Sequence, residues 1–293
     1  MHIGIVSPVV VLHPDAHSPW ERDAGIADLA RIAETADRLG YDHLTCSEHV
    51  AVPVEVAAAR GGTYWDPLAT LGFLAARTTR IRLATQVLVL GYHHPLEIAK
   101  RYGTLDVVSG GRLILGLGVG TLREEFDLLG APFEDRGARA DDALAALRAS
   151  LSRSLPEYHG TYYDYDGLLV EPHAVQDRVP LWIGGRTMRS LRRATTHGDG
   201  WAPFGLSVDE LRGMLEKVDV PGHFDVVLSA GAPLDPLGAR DRTLRALERR
   251  RDAGATIASA SISATDCAHY CDQLQSLREL GAELGIEFDP APR

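Results

Sequence analysis

Cysteine and lysine are both scarce in this chain. The three cysteines among 293 residues, Cys46, Cys267 and Cys271, are too few for a disulfide framework. An odd number of thiols points to a reducing compartment, and a cytoplasmic location is expected. Thirty basic residues include only two lysines, Lys100 and Lys217. Arginine codons are GC-rich, so this bias describes a genome and no chemistry. No apolar run approaches the roughly 18 residues of a membrane span. The start, MHIGIVSPVV, lacks a basic leading segment and reads directly as a strand, so no signal peptide is expected. A net charge of −10 argues against binding to a nucleic-acid backbone. The pattern G-x-S-x-G is absent, which disfavours an α/β-hydrolase. With 45% hydrophobic and 24% charged residues the composition is globular, and long disorder is excluded.

What the chain does have is a repeated change of period from strand to helix. His2 to Val6 is a short β-rich run, and Ile26, Leu29, Ala30, Ala33, Ala36 and Leu39 then trace a helical stripe ending at Gly40. Leu44 to Ser47 reads as a second strand, and Asp66-Pro67 as an N-cap and first helical residue. Further strands are expected at Ile81 to Leu90, Arg112 to Gly118, Pro180 to Ile183, Asp199 to Ala202, Phe224 to Leu228 and Thr256 to Ser259, with helices between them. Eight alternating units imply a parallel sheet closed on itself, a (β/α)8 TIM barrel. The tyrosine-rich stretch 155–179 breaks the rhythm and reads as an insertion with a hairpin before strand five. The whole chain, 1–293, is therefore read as one barrel domain. The connection from Ala51 to Trp65 is long enough to be a functional lid.

A barrel presents its reacting groups at the C-terminal ends of its strands. Strand two ends in Ser47-Glu48-His49, where Glu48 and His49 form a candidate acid/base pair. Alternation along a strand aims neighbours apart, so one of the two faces the mouth; the alternative is a charged strand end in solvent. Strand four ends in Gly116-Leu117-Gly118-Val119-Gly120-Thr121. Thr121 replaces the last glycine of a dinucleotide fingerprint, so these glycines read better as room for a flat ligand. Glu124 and Glu125 fall in the next helix's first turn, a place that favours carboxylates through the helix dipole. Strand five ends in Gly184-Gly185-Arg186-Thr187, either a phosphate-binding turn or simply a tight turn. His93-His94 lacks further ligands at metal spacing, and no metal is expected.

Several of these segments, in order, resemble the bacterial luciferase-like monooxygenases. Cys46-Ser47-Glu48-His49-Val50 is similar to that family's strand-two ending. Asp106 to Gly120 is similar to its segment LD-x-LSGGR-x-x-LG-x-G-x-G. Arg123-Glu124-Glu125-Phe126, Gly160-x-Tyr162-Tyr163, Pro180 to Gly185 and Gly198-Asp199-Gly200-Trp201 follow in the family's order. The likeness runs from about Ile3 to Ser207 and fades beyond it. It implies a barrel, often a homodimer, that holds a flavin-type cofactor and acts on a small-molecule substrate. The detailed pattern is most similar to the branch using coenzyme F-420, a 5-deazaflavin. Within the resemblance, His49 corresponds to the histidine at the reactive face of the cofactor ring and Glu48 to its acidic neighbour. Gln86 and Val87 correspond to a bulged, non-prolyl cis peptide behind the ring, and Gly120 and Thr121 to its edge. Gly184, Gly185, Arg186 and Thr187 correspond to the phosphate turn. The implied activity is hydride transfer from reduced F-420. The alternatives are oxygenation with reduced FMN, or a flavin-binding barrel without catalysis.

Overall fold

The computed structural model describes residues 1–14 and 16–288. The first half contains the strands β1 (His2–Ile5), β2 (His43–Cys46), β3 (Arg82–Thr85), β4 (Leu88–Val89) and β5 (Leu113–Gly118). Its helices are α1 (Ile26–Arg38), α2 (Val54–Arg60), α3 (Pro67–Arg77), α4 (Pro95–Ser109), α5 (Arg123–Leu129) and α6 (Arg136–Ser150). A hairpin of β6 (Tyr158–His159) and β7 (Asp164–Tyr165) follows. The second half alternates β8 (Leu181–Gly184), α7 (Met188–His197), β9 (Gly200–Ala202), α8 (Val208–Leu215), β10 (Asp225–Ser229), α9 (Arg240–Asp252), β11 (Ile257–Ala260) and α10 (Cys267–Glu283).

All barrel pairings are parallel, and β1 meets β11 with Ile3 beside Ala258, which closes the ring. The third barrel strand is not the unbroken run expected from Ile81 to Leu90. It is interrupted at Gln86–Val87, whose peptide bond is cis, and both halves pair with β5. Counting β3 and β4 as one gives the eight strands of a TIM barrel.

Local chemistry explains the boundaries. Asp66 accepts from Ala69 N at 2.8 Å and Pro67 opens α3. Gly110, with φ 69°, ends α4 in the left-handed conformation. In α1 the inward stripe Leu29, Ile32, Ala33 and Ala36 is fully buried against the barrel.

Inside the ring, side chains alternate with the strand pleat. Trp182, Ile114, Ala84, Ala202, Val227 and Ile257 form one packed cluster. Towards the mouth the inward positions become small: Thr45, Gly116, Gly118, Gly184 and Ala202. Trp182 and Ile114 fill the lower barrel, and Val87 packs against Gly118 and Gly184 towards the mouth. The stretch 155–179 lies against α6 and α4. Asp142 accepts from the Tyr158 hydroxyl and from Tyr162 N, both at 2.6 Å. Asp106 accepts from Val175 N at 2.9 Å and Gln176 N at 3.0 Å.

Candidate functional site

Strand β2 carries Ser47, Glu48 and His49 out to the mouth, and the pleat sends them different ways. The Ser47 hydroxyl donates to the Gln86 carbonyl at 2.6 Å, tying β2 to the break in the third strand. Glu48 turns away from His49. Its buried carboxylate accepts from Val89 N at 2.7 Å and meets His93 Nε2 at 2.6 Å. Burial alone would lower the His93 pKa, but the Glu48 hydrogen bond and charge outweigh it and raise the pKa above its ordinary value.

The carboxylate that holds His49 comes from 76 residues further along the chain. His49 Nδ1 lies 2.7 Å from Glu125 Oε2. Glu125 also accepts from Val50 N at 2.6 Å, Ala51 N at 3.2 Å and the Tyr92 hydroxyl at 2.9 Å. Burial would raise this carboxyl's pKa; the His49 interaction, the Tyr92 hydroxyl and the Val50 N–H outweigh it and hold it below the usual range. An ionised carboxylate only accepts, so the proton between them belongs to Nδ1. Nε2 lies on a side chain that is 20% exposed. The edge of the His49 ring packs on Tyr64, with centroids 4.4 Å apart. Tyr64 in turn donates to the Arg60 carbonyl at 2.7 Å.

The helix-dipole reading therefore separates the two glutamates of α5. Glu124 is exposed at the helix start, while Glu125 is turned inward as the partner of His49. Sequence reasoning missed that role, and it missed Tyr92 as well. The available signal was a carboxylate one residue before Phe126 on a short helix that packs inward.

The glycines at and just beyond the end of β5 meet the protein's own atoms. A Cβ on Gly116 would lie 2.0 Å from the Thr85 carbonyl oxygen, and one on Gly118 would lie 2.6 Å from Val87 Cγ2. Gly120, at φ 76°, leaves room for Phe126. These glycines accommodate the protein's own split strand rather than standing open for a ligand. Val87 is wedged between Gly118 and Gly184, with Gln86 beside it under Ser47. Thr121 is exposed at the mouth, where its hydroxyl accepts from Arg60 Nη1 at 3.3 Å. That bond joins the connection carrying α2 to the end of β5.

At the end of β8, Gly185 adopts φ 125° and its α-carbon faces Ser190. Thr187 caps α7, its hydroxyl accepting from Ser190 N at 3.2 Å. Arg186 is exposed and has no carboxylate partner among the described residues. Cys46 is buried and its thiol is pushed up to about 12 by burial, so it is no nucleophile.

An oriented histidine after β2, a split third strand and a glycine–arginine turn after β8 all lie at the C-terminal ends of the barrel strands. Residues 1–232 match the family described as luciferase-like monooxygenase. The chain belongs to that family. An uncharacterised protein of Mycobacterium tuberculosis is 30% identical over 199 residues, covering 64% of this chain and 68% of the relative. A second uncharacterised protein of that organism is 30% identical over 211 residues, covering 67% and 74%. Among solved structures, a monooxygenase from Streptomyces bottropensis superposes with a TM-score of 0.75 at 23% identity, covering 97% of this chain and 100% of that one. The coenzyme F420 dependent tetrahydromethanopterin reductase from Methanopyrus kandleri superposes at 0.72 and 16% identity, covering 95% and 97%. This family member is thus a TIM-barrel oxidoreductase by kinship, with its candidate groups gathered on the mouth.

Proposed function

We propose that the protein binds reduced coenzyme F-420 at the barrel mouth and reduces a small organic substrate. The observation that carries the reading is the fixed His49–Glu125 pair at the end of β2, whose histidine side chain keeps 20% of its surface exposed. The remaining residues fit such a cofactor. Arg186, without a carboxylate partner among the described residues, and the N–H groups at the start of α7 suit an anionic phosphate. Gln86 and Val87 offer a backbone shelf for the ring, and Gly120 and Thr121 border it. When bound, a reduced deazaflavin supplies a hydride, and the protein supplies position and protons.

His49 Nε2 holds or releases the proton that accompanies reduction at the substrate's reacting atom. Glu125 keeps Nδ1 protonated, so that the working nitrogen is always Nε2. Glu48, bound to Val89 N and His93, fixes the third strand and belongs to the support of the site.

The second reading is oxygenation with reduced FMN, favoured by the family's description and the Streptomyces monooxygenase. Parallel titration with F-420 and FMN, read by absorbance and fluorescence, separates the two. Tighter binding of F-420 is expected. Micromolar FMN binding without F-420 binding would overturn the first reading in favour of the second. Arg186→Ala is expected to weaken whichever cofactor binds, with no change in melting temperature. This variant tests the turn better than a change at Gly185, whose backbone conformation resists any side chain.

A further inference from the structure

The connection from β2 to α3 brings a cation to the mouth. Helix α2 has no buried residue, and its last residue, Arg60, is half-buried. The backbone there is nevertheless fixed. The Arg60 carbonyl accepts from the Tyr64 hydroxyl at 2.7 Å. Gly61 has φ 82°, and a Cβ on it would lie 2.4 Å from the Leu12 carbonyl oxygen. Trp65 N donates to the Val10 carbonyl at 3.0 Å. Arg60 thus springs from an anchored point of the rim. The ring of Tyr64, which anchors it, is the one that packs on His49.

The guanidinium is under-used. Nη1 donates to the Thr121 hydroxyl at 3.3 Å, and Nε and Nη2 have no partner among the described residues. A charge-assisted bond is normally shorter, about 2.7–2.9 Å. Arg60 has no ion pair among the described residues. The carboxylates of the mouth are committed elsewhere, Glu125 to His49 and Tyr92, and Glu48 to His93. Glu55 and Glu124 are exposed to solvent. Burial raises the pKa of the Tyr64 and Tyr92 hydroxyls, and the Arg60 charge opposes the rise at both. The cation is therefore close to the groups that flank the His49–Glu125 pair. A second arginine holds the same turn. Arg136 Nε donates to the Gly120 carbonyl at 3.1 Å, again without a carboxylate partner among the described residues. Arg123, also near, is paired with Glu134. Two guanidinium groups without carboxylates thus bond Gly120-Thr121, and the local field favours an anion.

We propose that Arg60 recognises the substrate, and that the substrate carries a carboxylate or another anionic oxygen group. A carboxylate accepts two parallel N–H bonds from a guanidinium, which a single hydroxyl does not match. It displaces Thr121 from Arg60. Because Tyr64 ties Arg60 to His49, the bound anion sets which part of the substrate reaches the histidine. The substrate role rests on the oxidoreductase reading above; the anion site rests on Arg60 and its surroundings.

The test uses the full chain without cofactor and ¹⁵N NMR that includes the arginine side chains. Cyclohexanecarboxylate is the probe and cyclohexanecarboxamide its neutral control. The carboxylate is expected to shift the Arg60 Nε–H and the Tyr64 and Thr121 amides, and the carboxamide to leave them unmoved. Arg60→Gln is expected to weaken the carboxylate about tenfold or more, and Arg60→Lys to retain part of its affinity. Neither should lower the melting temperature, because α2 buries no residue. An anionic group of the cofactor is the other source of such a ligand, so the titration is repeated on protein saturated with F-420 or FMN. The carboxylate is expected to bind beside the cofactor, and Arg60→Gln to keep the wild-type cofactor affinity. Competition between the two, or an equal loss of cofactor affinity in Arg60→Gln, assigns Arg60 to the cofactor and overturns the proposal. Equal shifts with the carboxamide, no shifts, shifts confined to other residues, or unchanged carboxylate affinity in Arg60→Gln overturn it as well. If the carboxylate binds through Arg60 but neither F-420 nor FMN binds, the oxidoreductase reading fails and the anion site stands.

Discussion

At the base of the barrel His43 Nδ1 lies 2.7 Å from Asp42, and at the mouth His49 Nδ1 lies 2.7 Å from Glu125. The chemical pair is the same, yet its surroundings are opposite. His43 and Asp42 are both wholly enclosed, and Arg82 adds its charge to Asp42. The His43 ring fills the space beside Gly4 and meets Trp182 edge-on at 5.0 Å. Its Nε2 touches neither solvent nor a partner among the described residues. At the mouth the carboxylate is enclosed while the histidine keeps an open edge. The sealed pair acts as a structural bolt, and in the function proposed above the pair with the open edge handles the proton. The difference between them is access.

The comparison can be broken most directly at His49. His49→Ala is expected to lower turnover by about 10²–10⁴-fold, the range for a lost general acid or base. Folding and most cofactor affinity should survive. Stopped-flow oxidation of the reduced cofactor at the wild-type rate would remove His49 from the chemistry.

The base should respond in the opposite way. Asp42→Ala leaves the buried His43 and the half-buried Arg82 without their partner, and a loss of about 3–5 kcal/mol is expected in urea unfolding. Cofactor affinity of the remaining folded protein should be unchanged. A milder probe of the mouth is Tyr92→Phe, which removes one of the donors to Glu125. A cost of about 1 kcal/mol in stability is expected, together with a modest fall in turnover.

The smallest effects should be pH-dependent and of opposite sign at two neighbouring pairs. The His93 pKa is raised in the fold, so its bond to Glu48 stabilises fully below the unfolded histidine value. That contribution disappears as pH rises through the folded value. His93→Gln should therefore match the wild type at high pH and fall short of it at low pH. The Glu125 pKa is lowered, so its contribution is present above the unfolded glutamate value and disappears as pH falls through the folded one. Glu125→Gln should fall short at neutral pH and converge with the wild type in acid. Denaturation midpoints across the pH range check both slopes, and parallel curves would discard the assignment.

Much of this architecture could be read along the chain because its signals are local. Asp66-Pro67 opens α3 and the helical stripe of α1 ends before Gly40, each through bonds or backbone angles within a few residues. The position of His49 at a strand end was legible for the same reason. Its partner was not. Glu48 is adjacent in sequence, but a strand's pleat sends adjacent side chains to opposite sides. Glu48 met His93 instead, and His49 met Glu125.

The glycines at the end of β5 show the same division. Their abundance was visible in sequence as a need for space. That the space is taken by Thr85, Val87 and Phe126 depends on how the split third strand leans on β5. The sequence by itself determined the order of strands and helices, their caps and the residues delivered to the mouth. Those follow from periodicity and from bonds that span a few residues. Tertiary structure alone decided which carboxylate holds His49 and which histidine stays sealed. These are contacts between residues tens to hundreds of positions apart, and they exist only once the barrel has closed.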